Sequence, residues 1–221
     1  TLNAIDSYFD TMAEGNLKIT HGADWKGARG TLATSTGKWY YEVHLDTATT
    51  YQLCGIFDVE GENGGKLQDE ANWRSYRSDG STQSGGGTDA NTSLGNNSSD
   101  DILQVAYDLD AGKIWFGINN SWILSGNPAA GSNEVYSSLS GTFAPAIATY
   151  SSTMCVNFGQ DSSFAGNKTP QGNQDSNDIG DFYYTPPSGF LALCTSNLPA
   201  VAVIPSEHFS VLTYDDGAGA K

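Results

Sequence analysis

At 221 residues the chain is long enough for one sizeable core. Acidic residues outnumber basic ones by 25 to 10, and the resulting net charge of −15 repels phosphate backbones and excludes nucleic acid as a partner. Glycine is frequent at 26, with Ser, Thr and Asn between the apolar runs, a mixture that suits many short strands joined by turns and not a helical bundle. The acidic excess serves solubility, or part of it binds divalent cations. No apolar run has the length of a membrane span, so no membrane insertion is expected. Cys54, Cys155 and Cys194 cannot all pair within one chain, and none has zinc-ligand spacing.

A polar opening precedes two short strands at residues 17–20 and 28–33. After Gly37 the stretch 38–45 places Trp39, Tyr41, Val43 and Leu45 on one face and Lys38, Glu42 and His44 on the other, the period of two of a strand. Residues 51–58 are expected beside it as a neighbouring strand. From 59 to 97 the pattern dissolves into Gly, Ser, Asn and Asp around Trp73-Arg74-Ser75-Tyr76-Arg77, as in a functional loop. The segment 100–116, DDILQVAYDLDAGKIWF, organises the chain. Leu103, Val105, Tyr107 and Leu109 alternate with polar or small residues, Gly112 closes a tight turn, and Ile114, Phe116 and Ile118 continue on the return strand.

A long connection at 119–141 carries Trp122 and Tyr136. Residues 143–150 and 153–158 read as a further antiparallel pair turned at Ser151-Ser152. A polar stretch at 160–181 follows, and 183–194 closes the globular part. Residues 1–199 are therefore read as one domain and 200–221 as a linker or the start of a following module, with a short apolar alternation at 206–214. The fold class expected is all-β, an antiparallel two-sheet β-sandwich.

Four pieces in order, GKWYYEV at 37–43, VAYDLDAGKIWF at 105–116, FAPAI at 143–147 and VNFGQ at 156–160, resemble the SPRY family. Trp122, GNPAAG at 126–131, PPSGF at 186–190, ALC at 192–194 and NLP at 197–199 are similar to the branch found in phage and prophage structural proteins. The resemblance spans residues 14–199. It implies a concanavalin-like jelly-roll sandwich that binds through its loops without catalysis, placed in a virion and tail-associated. The implied partners are other virion proteins or a host cell-surface protein or glycan, with a homo-oligomer allowed.

Trp73, Arg74, Tyr76 and Arg77 mix large contact area with planar donors and are candidate ligand-binding residues; the alternative is a strand whose aromatics complete the core. Trp122 would stack on a sugar ring or an apolar partner surface, or else cap one end of the sandwich. Asp175, Asn177, Asp178 and Asp181 are the candidate oxygen ligands for Ca²⁺, though Ile179 breaks EF-hand spacing; no other cofactor is expected. Asp58, Glu60 and Glu62 alternate as glycosidase carboxylates would, but Gly61, Gly64 and Gly65 favour a solvated turn. No nucleophile elbow accompanies His21, His44 or His208, and Gly85-Gly86-Gly87 is not set between strand and helix as a phosphate cradle would be. Besides attachment, two rival functions stand: a purely structural decoration or spacer, and a glycoside hydrolase on a lectin-like sandwich.

Overall fold

The computed structural model describes residues 1–48, 51–61, 67, 70, 72–84, 87–91 and 94–199. Among the described residues the strands occur in the order β1 (Leu2–Ser7), β2 (Thr11–Ala13), β3 (Lys18–His21), β4 (Lys26–Gly30), β5 (Lys38–Thr47), β6 (Gln52–Asp58), β7 (Trp73–Arg77), β8 (Ser81–Ser84), β9 (Gly87–Asn91), β10 (Ile102–Asp108), β11 (Lys113–Ile118), β12 (Ser121–Trp122), β13 (Phe143–Thr149), β14 (Ser152–Asn157) and β15 (Leu191–Ala192). One sheet runs β1-β4-β13-β6-β7-β8-β9, and the other runs β12-β11-β10-β5-β14-β3-β2. The sandwich is all-β, and its long strand pairs are antiparallel.

The strands at 38–45 and 102–118 do what their alternation requires. β5 pairs with β10 from Ile102↔His44 to Asp108↔Lys38, and β10 pairs with β11 from Leu103↔Ile118 to Asp108↔Lys113. The connection between β10 and β11 carries Gly112 at φ +66°, where an added Cβ would lie 2.9 Å from Leu139 O. Trp39, Tyr41, Val43, Val105, Tyr107 and Phe116 are all buried between the sheets. Cys54 and Cys155 are buried free thiols; burial pushes the Cys155 thiol up to about 12 and raises that of Cys54 well above its usual value.

Two expected strand pairs are overturned. β6 does not lie beside β5, nor β14 beside β13, because each of these connections carries the chain from one sheet to the other. Their apolar faces meet across the core instead, where the Tyr41 hydroxyl donates to Gly55 O at 2.6 Å. The stretch 59–97 also proves richer in structure than its composition suggests, since β7, β8 and β9 extend the first sheet by three strands. Ser75, Ser81, Thr82 and Gln83 are buried there, so these strands carry little apolar alternation to read. The alternation at 206–214 lies outside the described residues.

The polar face of β5 is covered too. Residues 160–199 lie across it, with Phe182, Phe190 and Ala192 packed on Tyr40, Ala106 and Trp115. β15 runs parallel beside Trp39 and Tyr40, where β14, which ends its pairing at Glu42, leaves β5 uncovered. The buried Glu42 carboxylate fastens this strap by accepting from Tyr183 N (2.9 Å), Tyr184 N (2.8 Å), Tyr40 Oη (2.9 Å) and Asn157 Nδ2 (3.2 Å). Desolvation pushes Glu42 up to about 7 against the pull of those four donors. Beside it, His44 lies between Asp46 (2.7 Å from Nδ1) and Asp100 (3.1 Å from Nε2), and Lys168 of the strap pairs with Asp100 at 2.8 Å.

Candidate functional site

At one end of the first sheet the last rung of pairing joins Lys26 on β4, Thr149 on β13 and Gln52 on β6. One residue further along each chain stand Trp25, Tyr150 and Tyr51, with Tyr150 N donating to Tyr51 O at 3.1 Å. Alternation directs all three to the outer face, the side carrying Gly27, Ala148 and Leu53. Their rings meet edge to face, with centroids 5.6 Å apart for Trp25–Tyr51, 6.1 Å for Trp25–Tyr150 and 6.0 Å for Tyr51–Tyr150. Tyr51 is 43% exposed and Tyr150 42%, so both rings face water despite this contact. Arg77, opposite Leu53 on β7, continues the row, and its guanidinium carbon lies 5.9 Å from the Tyr51 ring centroid.

Around the end of the sheet lies a polar recess of about 420 Å³, lined by Ala48, Ser78, Asp79 and residues 96–99. Arg77 links it to the aromatic row through its ion pair with Asp79. Burial alone would raise the Asp79 carboxyl, but hydrogen bonds from Arg77 and Ser81 hold it below the usual carboxylate range. The segment 94–100 is tied down at several points. Asn97 N donates to Ser78 O at 3.0 Å, Leu94 N to Gly80 O at 3.0 Å, and Ala48 N to Ser99 Oγ at 2.8 Å. The Tyr76 hydroxyl reaches out of the core to donate to Gly95 O. These bonds leave Asn96, Ser98 and Ser99 exposed around the recess.

The five ligand-binding candidates are not brought together. Trp73 is fully buried on the outer face with Leu53, Phe57 and Leu67, and Tyr76 is fully buried in the inter-sheet core, so neither ring offers a surface to a partner. Arg74 lies toward the opposite end of β7, in a recess of about 170 Å³ with Asp58, Asn72 and Ser140. Arg77 alone among them reaches the row and recess. Trp122 is half-buried against the cluster of Tyr40, Trp115 and Phe190, at the edge of the other sheet.

Asp175 Oδ1 accepts from Asn177 N and Ile179 N at 2.8 and 3.1 Å, and Oδ2 accepts from Ala192 N and Asn197 Nδ2 at 2.8 and 2.7 Å. It thus anchors the strap to β15. Asn177 donates to Asn197 Oδ1 at 2.8 Å, Asp178 is exposed, and Asp181 Oδ2 accepts from Ser162 N at 3.2 Å. Among the described residues no group of three or more His, Cys, Asp or Glu is placed to hold a metal ion. Asp58 ends β6, with Oδ1 accepting from Glu60 N at 3.2 Å in a turn, so these two carboxylates do not share a strand face; Glu62, Gly64 and Gly65 lie outside the described residues. Gly87 opens β9, and Gly85 and Gly86 are likewise outside.

The residues that sequence reading missed are Trp25, Tyr51 and Tyr150 and the segment 94–100. The available signal was an aromatic residue immediately outside each of three strands, which acquires meaning only when the strands are placed side by side.

The SPRY domain family model matches residues 38–161. The fold is similar to the crystal structure of the SPRY domain of human HERC1, with a TM-score of 0.58 and 13% identity over 71% of this chain and 96% of that one. No curated protein matches. Among the described residues no helix is long and apolar enough to cross a membrane. With more than half of its length matched by the family model, the chain belongs to the SPRY domain family.

Proposed function

We propose that this chain is a non-catalytic recognition module that works through the end of the sandwich bearing the polar recess and the Tyr51 row. Membership in a family of protein-interaction modules supports the reading. The observation that carries it is the coincidence, at one end, of a 420 Å³ recess and exposed aromatic rings on connecting segments held by a locked frame. Side chains on such connections can be exchanged without loss of core packing, which is why recognition concentrates there. His44, with Nδ1 at 2.7 Å from Asp46 and Nε2 at 3.1 Å from Asp100, braces this frame.

In the same reading the module belongs to a virion or tail-associated protein and holds another virion protein or a host cell-surface protein or glycan. The support is the similarity of residues 126–131 and 186–199 to phage-type modules. Those stretches have structural work here, with Gly131 at φ +68° ending the turn at Pro128–Ala130 and Phe190 packed against Trp115.

The test compares Ser98→Trp, which fills the recess, with Ser140→Trp in the recess beside Arg74 at the other end. Labelled full-length chain is scored for binding to bacterial cells and to purified virions. Binding lost in Ser98→Trp and kept in Ser140→Trp is the expected result; the reverse pattern contradicts it.

A further inference from the structure

The aromatic row poses a question that core packing does not answer. Trp25 packs against the outer cluster of Leu53, Phe57 and Leu67, and so helps to shield it. Tyr51 and Tyr150 instead leave more than two-fifths of their surface in water. Edge-to-face contact among the three rings fixes their orientation in advance, so a ligand would not have to order them on binding.

Charge narrows the class of ligand. Lys26 faces Asp24 at 3.4 Å and Arg77 is paired with Asp79, so the cations around the row already have anionic partners. A cationic peptide would bring its charge beside the Arg77 guanidinium, which lies 5.9 Å from the Tyr51 ring centroid, a like-charge contact. An anionic polysaccharide would meet a chain of net charge −15. A neutral ligand remains. Aromatic faces suit a ring whose own faces carry only C–H groups, because the negative face of the aromatic quadrupole attracts polarised hydrogens. The recess asks for something more. Its Ser98 and Ser99 hydroxyls and Asn96 and Asn97 amides belong to groups that both donate and accept, as an array of sugar hydroxyls requires. Its volume of about 420 Å³ falls within the usual range of about 300–1,000 Å³ for small-ligand sites.

We propose that the Tyr51–Tyr150 row and the adjoining recess form a binding site for a neutral saccharide of pyranose units with equatorial hydroxyls. The rings take its C–H faces, and the Asn and Ser side chains read its hydroxyls. This inference rests on the recognition reading and names its ligand class.

The full chain is titrated with cellotetraose, maltotetraose and the N-acetylglucosamine tetramer by calorimetry and by amide NMR, with melting temperatures recorded for every variant. The expected result is saturable binding of at least one of the three. Binding should weaken about tenfold or more in Tyr51→Ala and in Tyr150→Ala, whose surface positions leave melting little changed, and persist in Tyr51→Phe, which keeps the ring. Failure of all three to bind, or binding indifferent to both alanine variants, overturns the proposal. If the saccharides fail while Ser98→Trp still abolishes binding to cells or virions, the saccharide assignment falls and the recognition reading stands.

Discussion

The Glu42 carboxylate accepts the backbone N–H of Tyr183 at 2.9 Å, across 141 positions of sequence. With Tyr184 N, Tyr40 Oη and Asn157 Nδ2 it completes a buried carboxyl group with four donors, and so holds a polar stretch of chain flat on the outer face of β5. Removing the acceptor leaves those donors buried and unpaired. Glu42→Ala is expected to cost about 3–5 kcal/mol, read from urea unfolding at neutral pH.

The same carboxyl gives a pH signature. Its value in the folded chain, about 7, lies above its ordinary 4.5, so between these pH values the folded state keeps a proton that the unfolded state releases. Its contribution is therefore fully present below about pH 4.5 and lost as pH rises through 7, an effect of about 3 kcal/mol. Unfolding free energies from pH 4.5 to 7.5 should fall more steeply for the native sequence than for Glu42→Gln. Parallel curves would contradict this.

Trp73 fills the outer face of β7 with its ring wholly buried. Trp73→Ala should cost about 3–5 kcal/mol of unfolding free energy through the cavity it leaves. A loss below 1 kcal/mol, combined with lost partner binding, would return Trp73 to the recognition surface.

Tyr76 holds the 94–100 segment from beneath. Tyr76→Phe removes only the hydroxyl donated to Gly95 O and should cost about 1 kcal/mol. Hydrogen exchange should nevertheless quicken at the amides of Leu94 and Asn97, which bond to Gly80 O and Ser78 O. Unchanged exchange there would show that the segment is held by other contacts.

These cases mark what the sequence could disclose. Trp39 opposite Tyr107 was legible because alternation on β5 and β10 names the same face whichever strands become neighbours. That β6 lies across from β5 instead of beside it was not legible, since alternation says which side is apolar and not which sheet the strand joins. Glu42, His44 and Gln104 alternate as solvent-facing residues would, and only the strap shows them buried. Trp73 and Tyr76 carry the composition of a hot spot, yet aromatics beside arginines fit a strand packed on both faces equally well. Tyr51 and Tyr150 become neighbours only through the pairing of β13 with β6.

In the proposed function, recognition belongs to the end of the sandwich that gathers Tyr51, Arg77, Asp79 and residues 96–99. Amide NMR of the full chain, recorded during titration with the solubilised cell-surface or virion material that the native chain binds, is the direct test. Shifts should concentrate at residues 48, 51, 77–79, 96–99 and 150. Shifts centred instead on residues 58, 72–74 and 138–140, at the opposite end, would contradict it.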